Sequence, residues 1–269
     1  MGKILAICNQ KGGVGKTTTA INLGYYLAHN GKKVLLVDFD PQANATSGLG
    51  VDRANLQHTI YDVLINNLSI KDSILNLSIP EFQLIPSSIN LTGAEIELIN
   101  LLNREYRLKK ALSDISGEYD FVLIDSPPSL GLLTINALTA ATAVLIPIQC
   151  EYYALEGLSR LLDTINLVKD NLNPDLAIEG VLLTMADYRT NLTSEVIEEA
   201  RKYFKDRVFN TVIPRSIRLS EAPGFGKPIH LYDKQSIGAR MYLSLAQEML
   251  EEKTEEVKTE WKKEFSGEV

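Results

Sequence analysis

The sequence predicts an α/β protein with a doubly wound, mostly parallel β-sheet and helices on both faces. Short runs of consecutive apolar residues alternate with longer segments in which apolar residues recur at three- and four-residue spacing. Consecutive apolar residues are typical of strands buried on both faces of a parallel sheet, and the longer spacing is typical of helices that cover such a sheet. The alternation of the two patterns therefore favours βαβ units.

The two patterns divide the chain into candidate elements. Strands are predicted over residues 4–8, 33–39, 82–86, 121–125, 143–149, 178–185 and 208–213. Helices are predicted over residues 16–28, 93–112, 132–140, 154–172, 193–204 and 237–250. Residues 48–78 lack clear periodicity, and we expect loops and short helices there. No repeat or Pro/Gly/Ser-rich linker interrupts the chain, so we expect one domain over residues 1–250 and a charged tail over residues 251–269.

The composition limits the compartment in which the chain is expected. The 269 residues are 45% hydrophobic. Since there is no run of about 18 apolar residues and no signal-peptide pattern at the start, we expect a cytoplasmic protein. Its two cysteines, Cys8 and Cys150, each end an apolar run. This position is typical of small buried thiols and does not indicate a disulfide framework.

The distribution of charge limits the partners. The formal net charge is −7, which argues against a surface that is basic all round. Residues 200–240 nevertheless contain nine Lys or Arg against three acidic residues, so any contact with DNA is expected to be local. From residue 248 onward there are eight Glu against four Lys. That segment offers no cationic face for anionic lipid, and we expect no membrane partner.

The strongest motif is a glycine-rich loop between the first predicted strand and the first predicted helix. Its residues are Lys11, Gly12, Gly13, Val14, Gly15, Lys16, Thr17 and Thr18. Glycines allow successive backbone N–H groups to face an anion, and the positive end of the following helix adds to the attraction for phosphate. Lys16 is placed to contact the β- and γ-phosphates of ATP, and the Thr17 hydroxyl is placed to bind Mg²⁺.

Carboxylates follow two of the predicted strands. Asp38 and Asp40 lie at the end of the second strand, and Asp125 ends a later one. Since α/β sheets bind ligands at the carboxyl ends of their strands, we expect all three beside the glycine-rich loop. Asp40 is expected to orient or deprotonate the attacking water, while Asp38 and Asp125 support Mg²⁺. The alternative for Asp38 and Asp40 is a turn-forming role ahead of Pro41.

The loop departs from the ordinary P-loop pattern at one position. Gln10 stands where that pattern has its first glycine, and a second lysine, Lys11, follows it. The remaining Lys-Gly-Gly-x-Gly-Lys-Thr resembles the deviant Walker A loop of P-loop NTPases in the ParA/MinD superfamily. This resemblance implies that Lys11 reaches across a nucleotide-sandwich dimer to the partner's phosphates, which adds Lys11 to the catalytic group of Lys16 and Asp40. On its residue type alone, Lys11 could be a solvated loop lysine.

Four later segments resemble ParA/Soj proteins, which partition chromosomes and plasmids, more than the wider superfamily. They are residues 44–50, 130–140, 149–157 and 214–223. The resemblance covers roughly residues 1–250. It departs at Ala43, where switch I of the family has glycine, and this change would stiffen the switch without removing a catalytic group. The Pro-Pro-Ser-Leu-Gly sequence after Asp125 resembles switch II.

The resemblance implies a Mg²⁺-dependent ATPase that hydrolyses ATP to ADP and phosphate. The ATP-bound homodimer would bind double-stranded DNA without sequence preference, in association with the nucleoid, and a ParB-type partner would stimulate hydrolysis. Adenine is expected near Pro214 and Arg215. DNA phosphates are expected at Arg189, Arg215, Arg218 and Arg240. The alternative for each arginine is an ion pair with a surface acid or, for Arg215, a contact with nucleotide.

Other functions share this fold. A MinD-like membrane ATPase needs a basic amphipathic C-terminal helix, which the acidic tail does not provide. A nitrogenase-reductase-like protein needs cysteines near switch II, and residues 125–135 contain none. A metabolic enzyme such as a dethiobiotin-synthetase-like ligase needs only the same loop and a substrate pocket, so this alternative stays open. A scaffold that binds nucleotide without hydrolysing it is disfavoured by Asp40.

Overall fold

The computed structural model describes residues 2–115, 117–151 and 158–251. Its strands are β1 (Lys3–Ile7), β2 (Val34–Asp38), β3 (Leu75–Asn76), β4 (Phe82–Ile85), β5 (Phe121–Asp125), β6 (Ala143–Gln149), β7 (Ala177–Ala186) and β8 (Val208–Pro214). Its α-helices are α1 (Lys16–His29), α2 (Asn44–Gly48), α3 (Ile60–Ile65), α4 (Leu91–Glu97), α5 (Arg107–Ser113), α6 (Leu132–Ala140), α7 (Leu158–Asn171), α8 (Asn191–Phe204), α9 (Ile217–Glu221), α10 (Ile229–Asp233) and α11 (Ile237–Leu250).

The strands form one sheet in the order β3-β4-β2-β5-β1-β6-β7-β8. Every neighbouring pair is parallel except β3 and β4, which are antiparallel. The predicted doubly wound, mostly parallel sheet is therefore confirmed. Strand β3 was not predicted, because a strand of two residues is too short to produce a periodic pattern. Among the described helices, none has the length and apolar character needed to cross a bilayer.

Helices cover both faces of the sheet, which explains why the strands are apolar on consecutive residues. On β1, Ile4 and Ala6 pack against one layer of helices, and Leu5 and Ile7 pack against the other. The first layer consists of α3 to α8 and is called here the α3–α8 layer. The second consists of α1, α2 and α9 to α11 and is called here the α1/α11 layer.

The predicted helix over residues 93–112 is wrong, because the structure has two helices there. Helices α4 and α5 are separated by short 3₁₀ turns, and Asn103 between them has a φ of 52°. The side chain of Asn136 on α6 donates to the carbonyl of Arg104 at 2.8 Å and accepts from the N–H of Leu108 at 3.2 Å. These two hydrogen bonds satisfy backbone groups that a continuous helix would pair internally. Helix α7 is described from Leu158 onward, and the predicted helical residues 154–157 lie outside the described part of the chain.

Both cysteines are free and buried. Burial raises the pKa of Cys8 to about 12 and that of Cys150 to about 11. Both are therefore neutral thiols at physiological pH, and they pack as small apolar side chains. The Cys8 sulfur lies 3.1 Å from the Ser126 hydroxyl.

Candidate functional site

The glycine-rich loop follows β1 at the carboxyl edge of the sheet and leads directly into α1. Gly13 and Gly15 have φ angles of 75° and 89°, a region that favours glycine. No atom lies within 4 Å of the position that a Cβ would take on Gly12 or Gly13, so this side of the loop faces open space. Gly15 provides no side chain to cap α1. The first N–H groups of the helix are therefore available to an anion.

Two polar side chains that the sequence analysis missed attach the loop to the neighbouring strands. The Asn9 amide donates to the carbonyl of Pro147 at 2.7 Å, and its oxygen accepts from the N–H of Lys11 at 3.0 Å. The Thr184 hydroxyl donates to the carbonyl of Val14 at 2.9 Å. These contacts hold both halves of the loop against β6 and β7. They fix its shape before any ligand binds.

Lys16 is buried beneath the loop, with only 6% of its surface exposed. Its ammonium group donates to the carbonyl of Lys11 at 3.1 Å. Burial lowers the pKa of Lys16, and the negative charges of Asp125 and Asp40 oppose this change. The structure thus brings the predicted phosphate-binding lysine together with two of the predicted carboxylates.

Asp125 has the chemistry of a metal-binding carboxylate. It is fully buried, and neither of its carboxylate oxygens has a hydrogen-bond partner of good geometry. Burial raises its pKa and the neighbouring charge of Asp38 raises it further, while the Thr17 hydroxyl and the Lys16 ammonium act in the opposite direction. Unpartnered carboxylate oxygens beside a hydroxyl are hard oxygen ligands, so these residues fit Mg²⁺.

Asp38 lies opposite Asp125 in the register of β2 and β5. Its Oδ2 accepts two hydrogen bonds of 2.7 Å from Thr46, one from the backbone N–H and one from the hydroxyl. Burial raises the pKa of Asp38 to about 6, although these hydrogen bonds lower it. The Thr46 hydroxyl also accepts from the N–H of Ser87 at 3.0 Å. Thr46 therefore connects α2, Asp38 and the segment after β4.

Sequence analysis did not assign a role to Thr46. It lies in the Asn-Ala-Thr-Ser-Gly segment, which was noted only as part of the family resemblance. A polar residue a few positions after two strand-end carboxylates was the available signal. It becomes meaningful only when α2 is seen to turn back onto β2.

Switch I carries Asp40 and Ala43. Asp40 is buried and accepts a hydrogen bond of 2.9 Å from the N–H of Gln42. Ala43 has φ 52° and ψ 40°, a left-handed conformation that glycine adopts more readily than alanine. The backbone at Ala43 therefore still has the shape that the family's glycine would provide. The alanine holds that shape at a cost in strain.

Lys11 is turned toward its own chain. Its ammonium lies 3.4 Å from Glu151 Oε2, and the Arg215 guanidinium lies 3.4 Å from Glu151 Oε1. The Gln149 amide also donates to this carboxylate. Glu151, which sequence analysis did not single out, therefore joins the glycine-rich loop to the end of β8. Residues 152–157 of the same motif lie outside the described residues.

The predicted adenine residues lie at the carboxyl end of β8, at the same edge of the sheet as the loop. Pro214 ends the strand, where it is paired with Ala186. The N–H of Arg215 donates to the carbonyl of Ala186 at 3.0 Å. The Arg215 side chain and Lys11 contact the same carboxylate, that of Glu151.

The four arginines expected to contact DNA differ in their surroundings. Three of them form ion pairs with acids of their own chain: Arg189 with Asp187, Arg215 with Glu151, and Arg218 with Glu221 and Asp233. Arg240 is exposed, and within the described part of the chain it forms no ion pair. The structure thus places all four on the surface but does not gather them into one unpaired cluster.

The site can be compared with known proteins. A family model described as an AAA domain matches residues 2–178. The chain is 61% identical to the sporulation initiation inhibitor protein Soj of Bacillus subtilis (strain 168) over 249 residues, which cover 93% of this chain and 98% of that protein. It is 56% identical to the chromosome partitioning protein ParA of Myxococcus xanthus (strain DK1622), with 94% and 90% of the two chains covered. The chain belongs to the ParA/Soj family.

Membership of the ParA/Soj family makes the chain an ATPase. A solved structure described as cobyrinic acid a,c-diamide synthase from Mycobacterium smegmatis, with bound ADP and magnesium, has a TM-score of 0.82 and 37% identity to this chain. The comparison covers 97% of each chain. The cofactors expected for a ParA/Soj ATPase, ATP and Mg²⁺, agree with this neighbour and with the ligands that the glycine-rich loop and Asp125 can hold.

Proposed function

We propose that the chain is a DNA-partitioning ATPase whose ATP-bound homodimer binds double-stranded DNA without sequence preference. A ParB-type partner stimulates hydrolysis, which releases the dimer from DNA. The observation that carries this proposal is Lys11, the lysine that precedes Lys16 in the glycine-rich loop. Its side chain is 43% exposed and lies at the same edge of the sheet as the candidate nucleotide-binding residues. We place this activity in one domain over residues 1–250, in the cytoplasm and on the nucleoid.

The roles of the residues follow from their positions. The loop N–H groups and Lys16 bind the β- and γ-phosphates, and Asp40 orients the attacking water or accepts its proton. Thr17, Asp38 and Asp125 hold the metal and its water ligands. Bound Mg²⁺ neutralises the charge that develops on the phosphate oxygens.

Dimerisation requires Lys11 to change partners. Its ion pair with Glu151 is long and almost half exposed, with 43% and 45% of the two side chains accessible. Such a pair contributes about 0–1 kcal/mol, so its loss is a small barrier. The phosphates of a nucleotide held by a second copy offer stronger charge-assisted hydrogen bonds. ATP held in one copy can therefore attract Lys11 of the other.

Binding to DNA depends on Arg189, Arg215, Arg218 and Arg240. Ion pairs at exposed arginines contribute little, so DNA phosphates can compete for them. A few cations on one copy bind DNA weakly, because the affinity increases with the number of phosphates neutralised. Two copies joined by ATP present the cations together, and their combined affinity is much higher. DNA binding would thus follow the nucleotide state. Arg215, together with Pro214, also lies where we propose that adenine binds.

One comparison favours a second candidate function. The structural neighbour with 37% identity is described as a cobyrinic acid a,c-diamide synthase. A metabolic P-loop enzyme would turn over ATP with a small substrate, and DNA would not change its rate. The higher identity of 61% to Soj favours the partitioning function.

Measuring ATP turnover with and without non-specific duplex DNA tests the proposal. We expect slow hydrolysis that increases with DNA and increases further with a ParB-type partner. Lys16→Ala should lose both turnover and ATP-dependent DNA binding, and Asp40→Ala should bind DNA for longer because ATP is retained. A Lys16→Ala protein that still binds DNA in an ATP-dependent way would contradict the switch. Turnover that is indifferent to DNA would favour the metabolic alternative.

A further inference from the structure

The tail over residues 252–269 has a regular sequence pattern. Every fourth residue is apolar in one series, which consists of Val257, Trp261, Phe265 and Val269. Every fourth residue is acidic in the adjacent series, which consists of Glu252, Glu256, Glu260, Glu264 and Glu268. Because residues four apart lie on the same face of a helix, the sequence predicts an amphipathic helix with an acidic stripe beside an apolar one. The family resemblance ends near residue 250, so the tail is not one of its features.

A surface on the α1/α11 layer has exposed apolar side chains that could receive this stripe. We call it the α9–α10 surface and define it as residues 217–240. Its exposed apolar side chains are Ile217, Phe225, Leu231 and Ile237, with 77%, 64%, 47% and 41% of their surface accessible. Helix α10 contacts α9, α11 and the turn that contains Phe225, so the elements that carry these four residues pack together. Apolar side chains concentrated in this way are typical of an interaction site.

The α9–α10 surface is also positively charged. It contains four Lys or Arg and two acids, a net charge of 4 − 2 = +2. Lys227, Lys234 and Arg240 are exposed, and none of the three forms an ion pair within the described residues. Residues 252–269 contain six Glu and four Lys, a net charge of 4 − 6 = −2. The two segments are complementary in charge as well as in apolar character.

The tail is long enough to reach this surface. Helix α11 has 14 residues, a length of about 21 Å, and leads from Ile237 at the α9–α10 surface to Leu250, where the tail begins. The 18 residues of the tail span at most about 60 Å when fully extended, so they can return along the length of α11 to Ile237 and α10.

A second group of exposed apolar residues is less suited to bind the tail. Ile89, Ile96, Ile99 and Leu102 are also exposed, but they surround α4. Helix α4 belongs to the α3–α8 layer, on the opposite face of the sheet from α11. Glu95 and Glu97 lie on the same helix and would repel the acidic stripe.

We propose that the tail over residues 252–269 docks on the α9–α10 surface of its own chain and competes with DNA phosphates for Arg218 and Arg240. The regulatory half of this proposal rests on the proposed function, because it requires DNA binding. The docking half does not. The tail thereby lowers the affinity of the surface for DNA until a partner or a second copy displaces it.

Docking can be measured through Trp261, because it is the only tryptophan of the chain. We expect its fluorescence emission at a shorter wavelength in the full-length protein than in a synthetic peptide of residues 252–269. The double variant Leu231→Ser, Ile237→Ser should shift the emission to the peptide value. The control Leu167→Ser, which changes an exposed leucine on α7 in the other layer, should leave it unchanged.

Two results would overturn docking within one chain. One is an emission equal to that of the peptide in the unaltered protein. The other is a shift that grows with protein concentration, since the tail would then be docking on another copy.

The regulatory half is tested by DNA binding in the full-length chain. The double variant Val257→Ser, Phe265→Ser retains Trp261 and all tail charges, and we expect it to bind duplex DNA with ATP about threefold to tenfold more tightly. An unchanged affinity, despite a docked Trp261 in the unaltered protein, overturns the regulation. If neither protein binds DNA, the proposed function and the regulation both fail, and the fluorescence result still decides whether the tail docks.

Discussion

At the scale of single residues, Asp38 and Asp125 lie side by side in the protein interior. Burial raises the pKa of both above the ordinary carboxyl value, and for Asp38 the raised value is about 6. A raised carboxyl pKa means that the folded protein binds a proton more tightly than the unfolded chain. In the absence of metal, stability should therefore decrease as pH rises from about 4 through about 6. In the absence of a bound cation, burial of these two carboxylates therefore costs stability.

The first prediction concerns Asp38→Asn. In metal-free protein at pH 7, we expect the free energy of unfolding to increase by about 2 kcal/mol, because the ionised Asp38 no longer has to be buried. At pH 4 the difference should nearly vanish, since Asp38 is then protonated in the folded state. Urea unfolding in the presence of a chelator measures both values. A variant that is less stable by the same amount at both pH values would show that burial of the ionised Asp38 carboxylate does not reduce stability.

The second prediction concerns Thr46, which holds Asp38 through two hydrogen bonds. Thr46→Val retains the shape but loses the hydroxyl, and we expect it to need about tenfold more Mg²⁺ for half-maximal ATP turnover. Thr46→Ser retains the hydroxyl and serves as the matched control. Equal magnesium requirements in the two variants would show that Thr46 does not position Asp38.

At the scale of elements, the short helix α2 connects switch I both to the buried carboxylate of Asp38 and to the α1/α11 layer. The Thr46 hydroxyl on α2 donates a hydrogen bond to Asp38. The last residue of α2, Gly48, packs close to Pro223, and a Cβ on Gly48 would lie 3.6 Å from the Pro223 side chain. Gly50 then approaches Gly226 closely, and a Cβ on Gly50 would lie 3.1 Å from the Gly226 carbonyl oxygen. Switch I is therefore in close contact, through α2 and Gly50, with the segment before α10.

The third prediction concerns the start of α2. Alanine in the left-handed conformation of Ala43 costs about 1–2 kcal/mol relative to glycine, whereas glycine gains more entropy in the unfolded chain. Because the first effect is the larger, Ala43→Gly should stabilise the protein by about 0.5–1 kcal/mol in thermal or urea unfolding. Destabilisation would mean that the Ala43 methyl group, which is buried, contributes more by packing than the backbone loses by strain.

Elements with local sequence patterns could be predicted, and contacts between distant segments could not. The loop from Lys11 to Thr18 is contiguous, so the motif alone located it. Asp38 and Asp125 were expected together because parallel strands end at one edge of the sheet. Thr46 and Glu151 were missed because their roles depend on the return of α2 onto β2 and on the approach of β6 to the loop. Residues 93–112 have the apolar spacing of one helix, and for that reason a single helix was predicted. The helix is interrupted there because Asn136, on a distant helix, forms hydrogen bonds with the backbone between α4 and α5.

At the scale of the whole molecule, the sheet order places two groups of charged side chains on either side of β1. The carboxylates of β2 and β5 lie on one side, and Glu151 and Arg215, after β6 and β8, lie on the other. Lys11, between them, is paired with Glu151 in a single copy. Dimerisation through ATP would require Lys11 to leave Glu151 for the phosphates held by a second copy.

Sedimentation equilibrium of the Asp40→Ala protein, which should retain ATP, measures whether Lys11 joins two copies. With saturating Mg²⁺ and ATP we predict a dimer, and with ADP a monomer. Adding Lys11→Ala should keep the protein monomeric with ATP. Adding Lys71→Ala, which breaks the similarly exposed ion pair with Glu118, should leave the dimer intact. A dimer that forms without nucleotide, or one that persists after Lys11→Ala, would show that Lys11 and ATP do not hold the two copies together.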